Sequence, residues 1–499
     1  METAAKKIAI VGSGCSGLGA LWALKSTHHE VHLFEALDRL GGHTNMVRHE
    51  PSNGSNVVAD TNCIVMNTRT HPNLINFLGH VGIETATTEV TLAMSRDQGS
   101  FEWANTSLNS LFCQRRNLFR LDMWMLIVDT IRFNEFAMED LIKESVERLG
   151  QQSIGSYLDH QGYSHVFRDH YLIPIITSVC GPSRGLCALD IPAITVVSFL
   201  WNHHLLSSLA TRPHWITLPG GTNAYMEVVL HGFPKNRIHT ESKVTAVVPS
   251  SSGPVTVSVS GREDIFDHVI LAIHGDEAFR VLGTAATAKE ASILSSFHSS
   301  GNVAVLHSDL SLMPKSKRAW SACNYLTESE FPPTSKANMA RVSLTYSINQ
   351  LHHLPHTKYG PILLTLNPLE MPDHRLAQAI WSYSSHLYDA EADRMQSLLP
   401  RIQNTRSISF CGAWTMPGFN QDGYGSGLAV AVSHLGAKLP FDLVDTTFPP
   451  GPRIALAWKH QVIRMIIPIV HAVVLLLEMV WAGTIASLEI FVAKRRKLA

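Results

Sequence analysis

The chain has 499 residues, 40 Lys and Arg against 41 Asp and Glu, a net charge of −1 and only 16% charged residues. That length allows roughly two to four domains and a large core, and the neutral balance gives no electrostatic case for nucleic acid as a partner. The seven cysteines (15, 63, 113, 180, 187, 323, 411) are scattered without a CxxC pair, which reads as reduced, structural thiols in a cytosolic setting. No signal peptide is expected, because the first apolar run is itself a strand of the fold.

That run, Ile8 to Val11, leads into Gly12-x-Gly14-x-x-Gly17, a helix-compatible stretch, and a second strand (Val31 to Phe34) ending on Glu35, 18 residues past Gly17. Each position has a mechanical task. Gly12 permits the tight turn, Gly14 lets the backbone approach a pyrophosphate, and Gly17 lets the helix pack on the strand. Ser13 and Ser16 lie in the same turn and are counted with the cofactor contacts. The helix N-terminus would face the phosphates, and Glu35 would take two ribose hydroxyls. The pattern predicts a bound dinucleotide; a glycine-rich βα turn without ligand is the alternative.

Arg39-Leu40-Gly41-Gly42-His43 follows at once. A simple NAD dehydrogenase needs no second glycine pair there. The segment resembles the R-x-G-G-R stretch of FAD enzymes of the amine oxidase and phytoene desaturase type, which passes close to the cofactor. The resemblance implies FAD, with Arg39, Gly41, Gly42 and His43 near it. His43 stands where that pattern has Arg. With a reference pKa near 6.5 it carries little charge at pH 7, which makes it a weaker, pH-switchable contact to a phosphate or flavin edge. A helix-capping turn is the competing reading.

Further stretches narrow the resemblance. Val58-Ala-Asp60-Thr-Asn-Cys-Ile-Val-Met-Asn67-x-Arg69-Thr-His-Pro72-Asn73-Leu, Tyr171-Leu-Ile-Pro174, Trp215-x-Thr-Leu-Pro219-Gly220-Gly221 and Leu366-Asn367-Pro368 are similar to a branch of predicted NAD/FAD-binding, amine-oxidase-like oxidoreductases. The likeness spans residues 5 to 440. Bacterial members of that branch are associated with cyclopropane-fatty-acid-type lipid enzymes, a hint toward acyl chains. Two places depart from its pattern: Asn62-Cys63 replace a glycine and an aromatic, and the stretch from Gly181 to Cys187 lacks the usual tryptophan.

The expected architecture is α/β. A Rossmann-like FAD-binding domain would come from residues 1–95, 215–290 and 405–440. A discontinuous α+β substrate-binding cap would come from 96–214 and 291–404, with a tail at 441–499. Alternation and β-branched content predict strands at Arg237 to Val248, Val255 to Ser260, Phe266 to Ile273, Val303 to His307 and Ala340 to Ile348. Leu121 to Phe136 and Val196 to Leu206 read as cap helices. In similar flavoproteins the strand near Val244 presents backbone groups to the adenine. The closing segment, a strand at Ile408 to Cys411, then Gly412 and a helix from Asp422-Gly423 to about Leu439, resembles the return of amine-oxidase-like chains to the cofactor. Gly412, Asp422 and Gly423 would touch FAD, with Phe419 as an aromatic wall or plain core.

Chemistry beyond the flavin is harder to read. No G-x-S-x-G, HExxH or P-loop occurs, and no histidine pair has metal-like partners, so no metal is expected. His28-His29, His203-His204 and His352-His353 read as loop or surface residues. Asn202, His203 and His204 lie on the predicted helix Val196 to Leu206, where one could face the flavin as acid or base, though core or surface is the plainer reading. Trp320, Asn324, Tyr325 and Tyr346 are candidates to line a pocket. No catalytic base is assigned.

Residues 466–493 are almost wholly apolar, flanked by Arg464 and Lys494-Arg495-Arg496-Lys497. A helix of about 28 residues is roughly 42 Å long, beyond the roughly 30 Å apolar thickness of a bilayer. Arg464, His471, Glu478, Glu489 and Arg496 fall at spacings of 7, 7, 11 and 7, so all five share one stripe. Three arrangements are open: a span whose stripe faces a partner helix or cavity, a helix lying in one leaflet, or a helix packed on the enzyme or on a second copy as a homo-oligomer. Basic flanks favour a membrane location with the catalytic domain toward the cytosol. The functional expectation is an FAD-dependent oxidoreductase acting on a lipophilic small molecule. A flavin-dependent isomerase or desaturase is the alternative within enzymes, and a catalytically silent FAD-binding membrane partner of a biosynthetic complex the alternative outside them.

Overall fold

The computed structural model describes residues 4–43, 46–50, 56–61, 65–143, 152–180, 188–203, 205–206, 215–219, 221–250, 253–329, 341–387, 389–416, 420–445 and 458–498. A five-stranded parallel sheet runs in the order Ile238–His239, Glu30–Phe34, Lys7–Val11, His268–Leu271, Ile408–Phe410. Strands buried on both faces read as continuous apolar runs, and Ile8, Ile10, Val269 and Ile270 are fully buried. On one face pack two helices, Cys15–Leu24 and Asn420–Leu435. Their contact is close because it is made through glycine: a Cβ on Gly427 would lie 2.0 Å from the Ser16 carbonyl oxygen, and one on Gly19 would lie 2.7 Å from that of Tyr424. The other face is covered by an antiparallel sheet of Val244–Pro249, Val255–Val259 and Arg262–Phe266 through Val247, Val255, Val257 and Phe266.

The strand expected over Arg237 to Val248 is two strands. Ile238–His239 extends the parallel sheet, and Val244–Pro249 joins the antiparallel one. Between them Glu241 adopts a positive φ of 50°, a turn conformation that β-branched content does not reveal.

A second, seven-stranded mixed sheet has the order Ala377–His386, Ser299–His307, Leu363–Leu366, Arg341–Ser347, Cys323–Glu328, Leu92–Arg96, Phe101–Ala104. Its first strand in the chain begins at Leu92, inside the stretch expected to belong to the first domain. Helices Leu121–Lys143, Ile154–His160, Ile173–Cys180 and Ala193–Asn202 cover it through an apolar core that includes the aromatic group Phe133, Tyr157, Tyr163 and Phe167. The helix expected over Val196 to Leu206 thus starts earlier and stops at Asn202.

The tail is one helix, Trp458–Leu498, containing Pro468. It runs antiparallel along Leu121–Lys143, which we call the cap helix. His460 meets Glu135 at 3.0 Å, His471 faces Asp129 at 3.5 Å, Arg464 pairs with Glu139, and Ile467 and Val474 pack with Met125 and Val128. The Arg464 and His471 positions of the polar stripe therefore face the cap. The outward side chains Ile466, Ile469, Val473 and Leu476 are exposed.

Candidate cofactor and substrate site

Two glycine turns meet at the carboxyl ends of the parallel strands, the place where open α/β sheets bind ligands. Gly12, at φ 100°, turns the chain out of the first strand, and a Cβ there would lie 2.6 Å from the Ala272 carbonyl oxygen. A Cβ on Gly17 would lie 1.9 Å from the Gly12 carbonyl oxygen, so that contact also excludes a side chain. Gly14 differs: it is the N-cap of the helix, with φ −63° and ψ −178°, and a Cβ there would meet nothing within 4 Å. The space before it is open, as a helix N-terminus that receives a phosphate requires. The second turn, Gly41-Gly42, lies directly over the first. A Cβ on Gly42, at φ 61°, would sit 2.9 Å from the Gly14 Cα.

Ser13 ties these turns to Glu35. Its amide and hydroxyl donate to Glu35 Oε2 at 3.0 and 2.5 Å, and the Gly41 amide donates to Ser13 Oγ at 3.1 Å. The Leu37 amide donates to Glu35 Oε1 at 3.0 Å. A carboxylate offers about four acceptor positions, so in this arrangement Glu35 keeps room for about one further donor, on Oε1, instead of the two ribose hydroxyls expected. Arg39 Nη1 donates to the Gly42 carbonyl at 3.0 Å and so holds the turn. Ser16 is buried in the helix contact already described. Val244 is brought to the same end: Ser242 and Glu241 amides donate to the carbonyls of Glu35 and Leu37, each at 2.8 Å.

The return segment completes the cradle. The Gly412 amide donates to Ser426 Oγ at 3.0 Å, and a Cβ on Gly412 would lie 2.4 Å from Trp414 Nε1. The first turn of the helix Asn420–Leu435 holds buried Asp422, and the Cβ position of Gly423 is 3.5 Å from that of Cys15. The first turns of the two helices thus lie side by side, and the partial positive charges of their N-termini add there. The helix begins at Asn420 and ends at Leu435, slightly before the predicted span. Phe419, Asn62 and Cys63 lie outside the described residues.

His43 reaches the second sheet. Its Nε2 bonds the Ser384 carbonyl on the Ala377–His386 strand at 2.7 Å, and its ring meets His274 and Tyr383 at 5.6 and 5.3 Å. Loss of hydration, then the neighbouring His274, hold its pKa down to about 4. The residue is itself exposed to solvent, and its ring bridges the two sheets through Ser384 and Tyr383.

A second group of polar residues lies around the short strand Trp215–Thr217, which pairs with Val65–Asn67. Trp215 and Thr217 share a face of that strand. His203 stacks on Trp215 at 6.5 Å and stands 6.3 Å from His71, and His352 Nδ1 lies 3.4 Å from Thr217 Oγ1. Asp60 accepts from the amide and hydroxyl of Thr222 at 2.7 and 2.5 Å. Burial lowers the pKa of His352, with Asp60 opposing, and loss of hydration holds His71 at about 3. His352 Nε2, Asn67 Nδ2 and Asn202 Nδ2 are buried without a hydrogen-bond partner among the described residues. Such atoms are costly unless something pairs with them.

These histidines correct the surface reading. His203 and His352 are buried, and so is His29, which bridges the Lys6 amide and the Leu435 carbonyl. Asn324 and Tyr325 are fully buried too, Asn324 Nδ2 donating to the Ser321 and Thr345 carbonyls, so neither lines a pocket. Trp320 does border an open groove, and the Tyr346 hydroxyl donates to the Ser178 carbonyl. Among the described residues no group of His, Cys, Asp and Glu has metal-binding geometry. Four described cysteines are free, and burial pushes the Cys323 and Cys411 thiols up to about 12.

A family model for flavin-containing amine oxidoreductases matches residues 15–393. The chain belongs to that family. It is an FAD-dependent oxidoreductase by that membership, and the open, glycine-built cradle fits the cofactor. No curated protein matches the chain at a significant level. Among solved structures, cyclohexylamine oxidase from Brevibacterium oxydans IH-35A is similar with a TM-score of 0.57 at 14% identity, over 86% of this chain and 98% of that one. Putrescine oxidase bound to putrescine gives 0.56 at 15%, over 87% and 99%. A CLA-producing fatty acid isomerase from P. acnes gives 0.52 at 13%, over 86% and 98%. At these identities the likeness shows the shared FAD amine-oxidase fold and nothing about substrate.

Proposed function

We propose that this flavoprotein oxidises a lipophilic small molecule at a membrane surface. The observation that carries the lipid side is the tail: the stretch His460–Leu477 has the length and hydropathy of a membrane segment, and only 11% of it is buried. A helix with so much apolar surface outside the protein calls for an apolar environment. Bound FAD supplies a two-electron acceptor for a hydride, with oxygen or another oxidant restoring it afterwards. The chain's own residues hold and orient. Ser13, Glu35, Gly14 and Gly42 receive the adenosine and pyrophosphate end, and the paired helix N-termini at Cys15 and Gly423 offset negative charge. The buried polar atoms of Asn67, Asn202 and His352 would orient the reacting end of a substrate that is otherwise apolar. The basic flanks favour the catalytic domain on the cytosolic side.

The spectrum of purified holoprotein tests this. Flavin absorbance that bleaches anaerobically on adding a lipid extract, and returns with oxygen, supports it; a flavin that no lipid fraction reduces argues for a silent partner role. The likeness to a fatty acid isomerase favours one second reading, in which an acyl substrate is isomerised without net oxidation. Product formation without oxygen uptake would select it.

A further inference from the structure

The tail helix leaves the body beside an apolar knob on the cap. Its antiparallel register places Val474 among Met125 and Val128. One further turn brings it level with Leu121, the start of the cap helix. Beyond residue 478 about 20 residues of helix, about 30 Å, continue past that end. The chain around Leu121 also carries exposed apolar side chains. Phe119 is 89% exposed and Leu108 76%, with Leu118 and Trp124 exposed beside them. Trp124 fixes the knob: its Nε1 donates to the Leu118 carbonyl at 2.9 Å and its ring packs on Phe112 at 5.9 Å. Phe119 is thereby presented outward.

Two cations rim the knob. Arg115 donates to Asn109 Oδ1 and the Phe112 carbonyl, and Arg116 donates to the Ser100 carbonyl. Both are exposed, and among the described residues neither pairs with a carboxylate. An indole and a phenyl ring flanked by unneutralised guanidinium groups match the interfacial zone of a bilayer, where aromatic rings sit at headgroup level and arginines meet phosphates. The outward side chains of the tail, Ile466, Ile469, Val473 and Leu476, are exposed as well. We infer that Leu108, Leu118, Phe119 and Trp124 enter the interface of an anionic bilayer while Arg115 and Arg116 bind headgroup phosphates, giving the cap a membrane contact of its own.

This rests on the membrane reading of the tail, and the test separates the two. Full-length holoprotein carrying a photoreactive phenylalanine analogue in place of Phe119 is mixed with vesicles of phosphatidylcholine and phosphatidylserine, floated, irradiated and analysed by mass. A control carries the analogue in place of Ile265, an exposed residue on the antiparallel sheet of the cofactor domain. The expected result is lipid adduct at position 119 severalfold above position 265, falling about fivefold for each of Arg115→Gln and Arg116→Gln, and falling likewise when phosphatidylserine is omitted. Protein that floats but gives no excess lipid adduct at 119 overturns the cap contact and leaves the tail anchor standing. Adducts to another protein chain at 119 overturn it in favour of a protein interface. Protein that does not float overturns both.

Discussion

Gly14→Ala separates the cofactor from the fold. The residue is an N-cap with φ −63° and ψ −178°, which alanine adopts freely, and its Cβ would meet no protein atom within 4 Å. Alanine is a poorer N-cap than glycine by about 1 kcal/mol or less, while removing a glycine from the unfolded chain stabilises by about 0.4–1 kcal/mol. These nearly cancel, so the melting temperature of the deflavinated protein should stay within about 2–4 °C of wild type. The methyl group enters the space before the helix N-terminus instead. Crowding of that kind costs about 1–3 kcal/mol, so FAD should bind roughly 5- to 150-fold more weakly. Titrating deflavinated protein with FAD, followed by flavin fluorescence, measures it. Gly17→Ala is the contrast: its Cβ would lie 1.9 Å from a backbone oxygen, so the apoprotein itself should lose stability. Wild-type FAD affinity in Gly14→Ala, with an intact fold, would refute the placement of the pyrophosphate at this turn.

Three other outcomes follow from the same geometry. Glu35→Gln turns an amide donor or a single oxygen toward Ser13 and Leu37 and should cost about 1–3 kcal/mol, seen as a lower melting temperature of the apoprotein together with weaker FAD binding. Loss of hydration holds the buried histidines 71 and 268 at about 3 and His307 at about 4. Below an unfolded value near 6.5 the unfolded chain binds more protons than the native one, so stability falls as pH falls from about 6.5 toward 4, by up to about 1.4 kcal/mol per histidine per pH unit; melts at pH 7 and pH 5 check this, and an unchanged or higher melting temperature at pH 5 would contradict it. Arg464→Ala removes the ion pair to Glu139 and leaves Glu135 with His460 as its tail contact, and should speed hydrogen exchange in the cap helix Leu121–Lys143 while leaving that of Cys15–Leu24 unchanged.

How much of this was legible in sequence varies with the range of the contact. Gly12 and Gly17 act within one βα turn, and their spacing declares that turn. The stacking of Gly42 on Gly14 depends on where the chain returns after the second strand, and nothing local marks it. The angular stripe of Arg464 and His471 was readable from helical periodicity, but its partner, Asp129 and Glu135 on the cap helix, is more than 300 residues away in the chain. Histidines were misplaced because polarity gives only an average exposure. His203 and His352 are buried where tertiary packing surrounds Trp215 and Thr217. The bond of His43 to Ser384 depends on the fold of the second sheet, which no local pattern marks.

The order of assembly has a consequence for synthesis. The two glycine turns are made within the first 43 residues, yet their sheet lacks an edge strand until Ile408–Phe410 arrives and the helix Cys15–Leu24 lacks a neighbour until Asn420–Leu435 does. At about 5–20 residues per second the ribosome takes roughly 20–80 s to cover that gap. The glycine face of Cys15–Leu24 stays uncovered through this time and the edge of the His268–Leu271 strand for roughly the last 7–28 s of it, a state prone to wrong pairing. Chains truncated before residue 408 should therefore retain no flavin, whatever the condition of their N-terminal half.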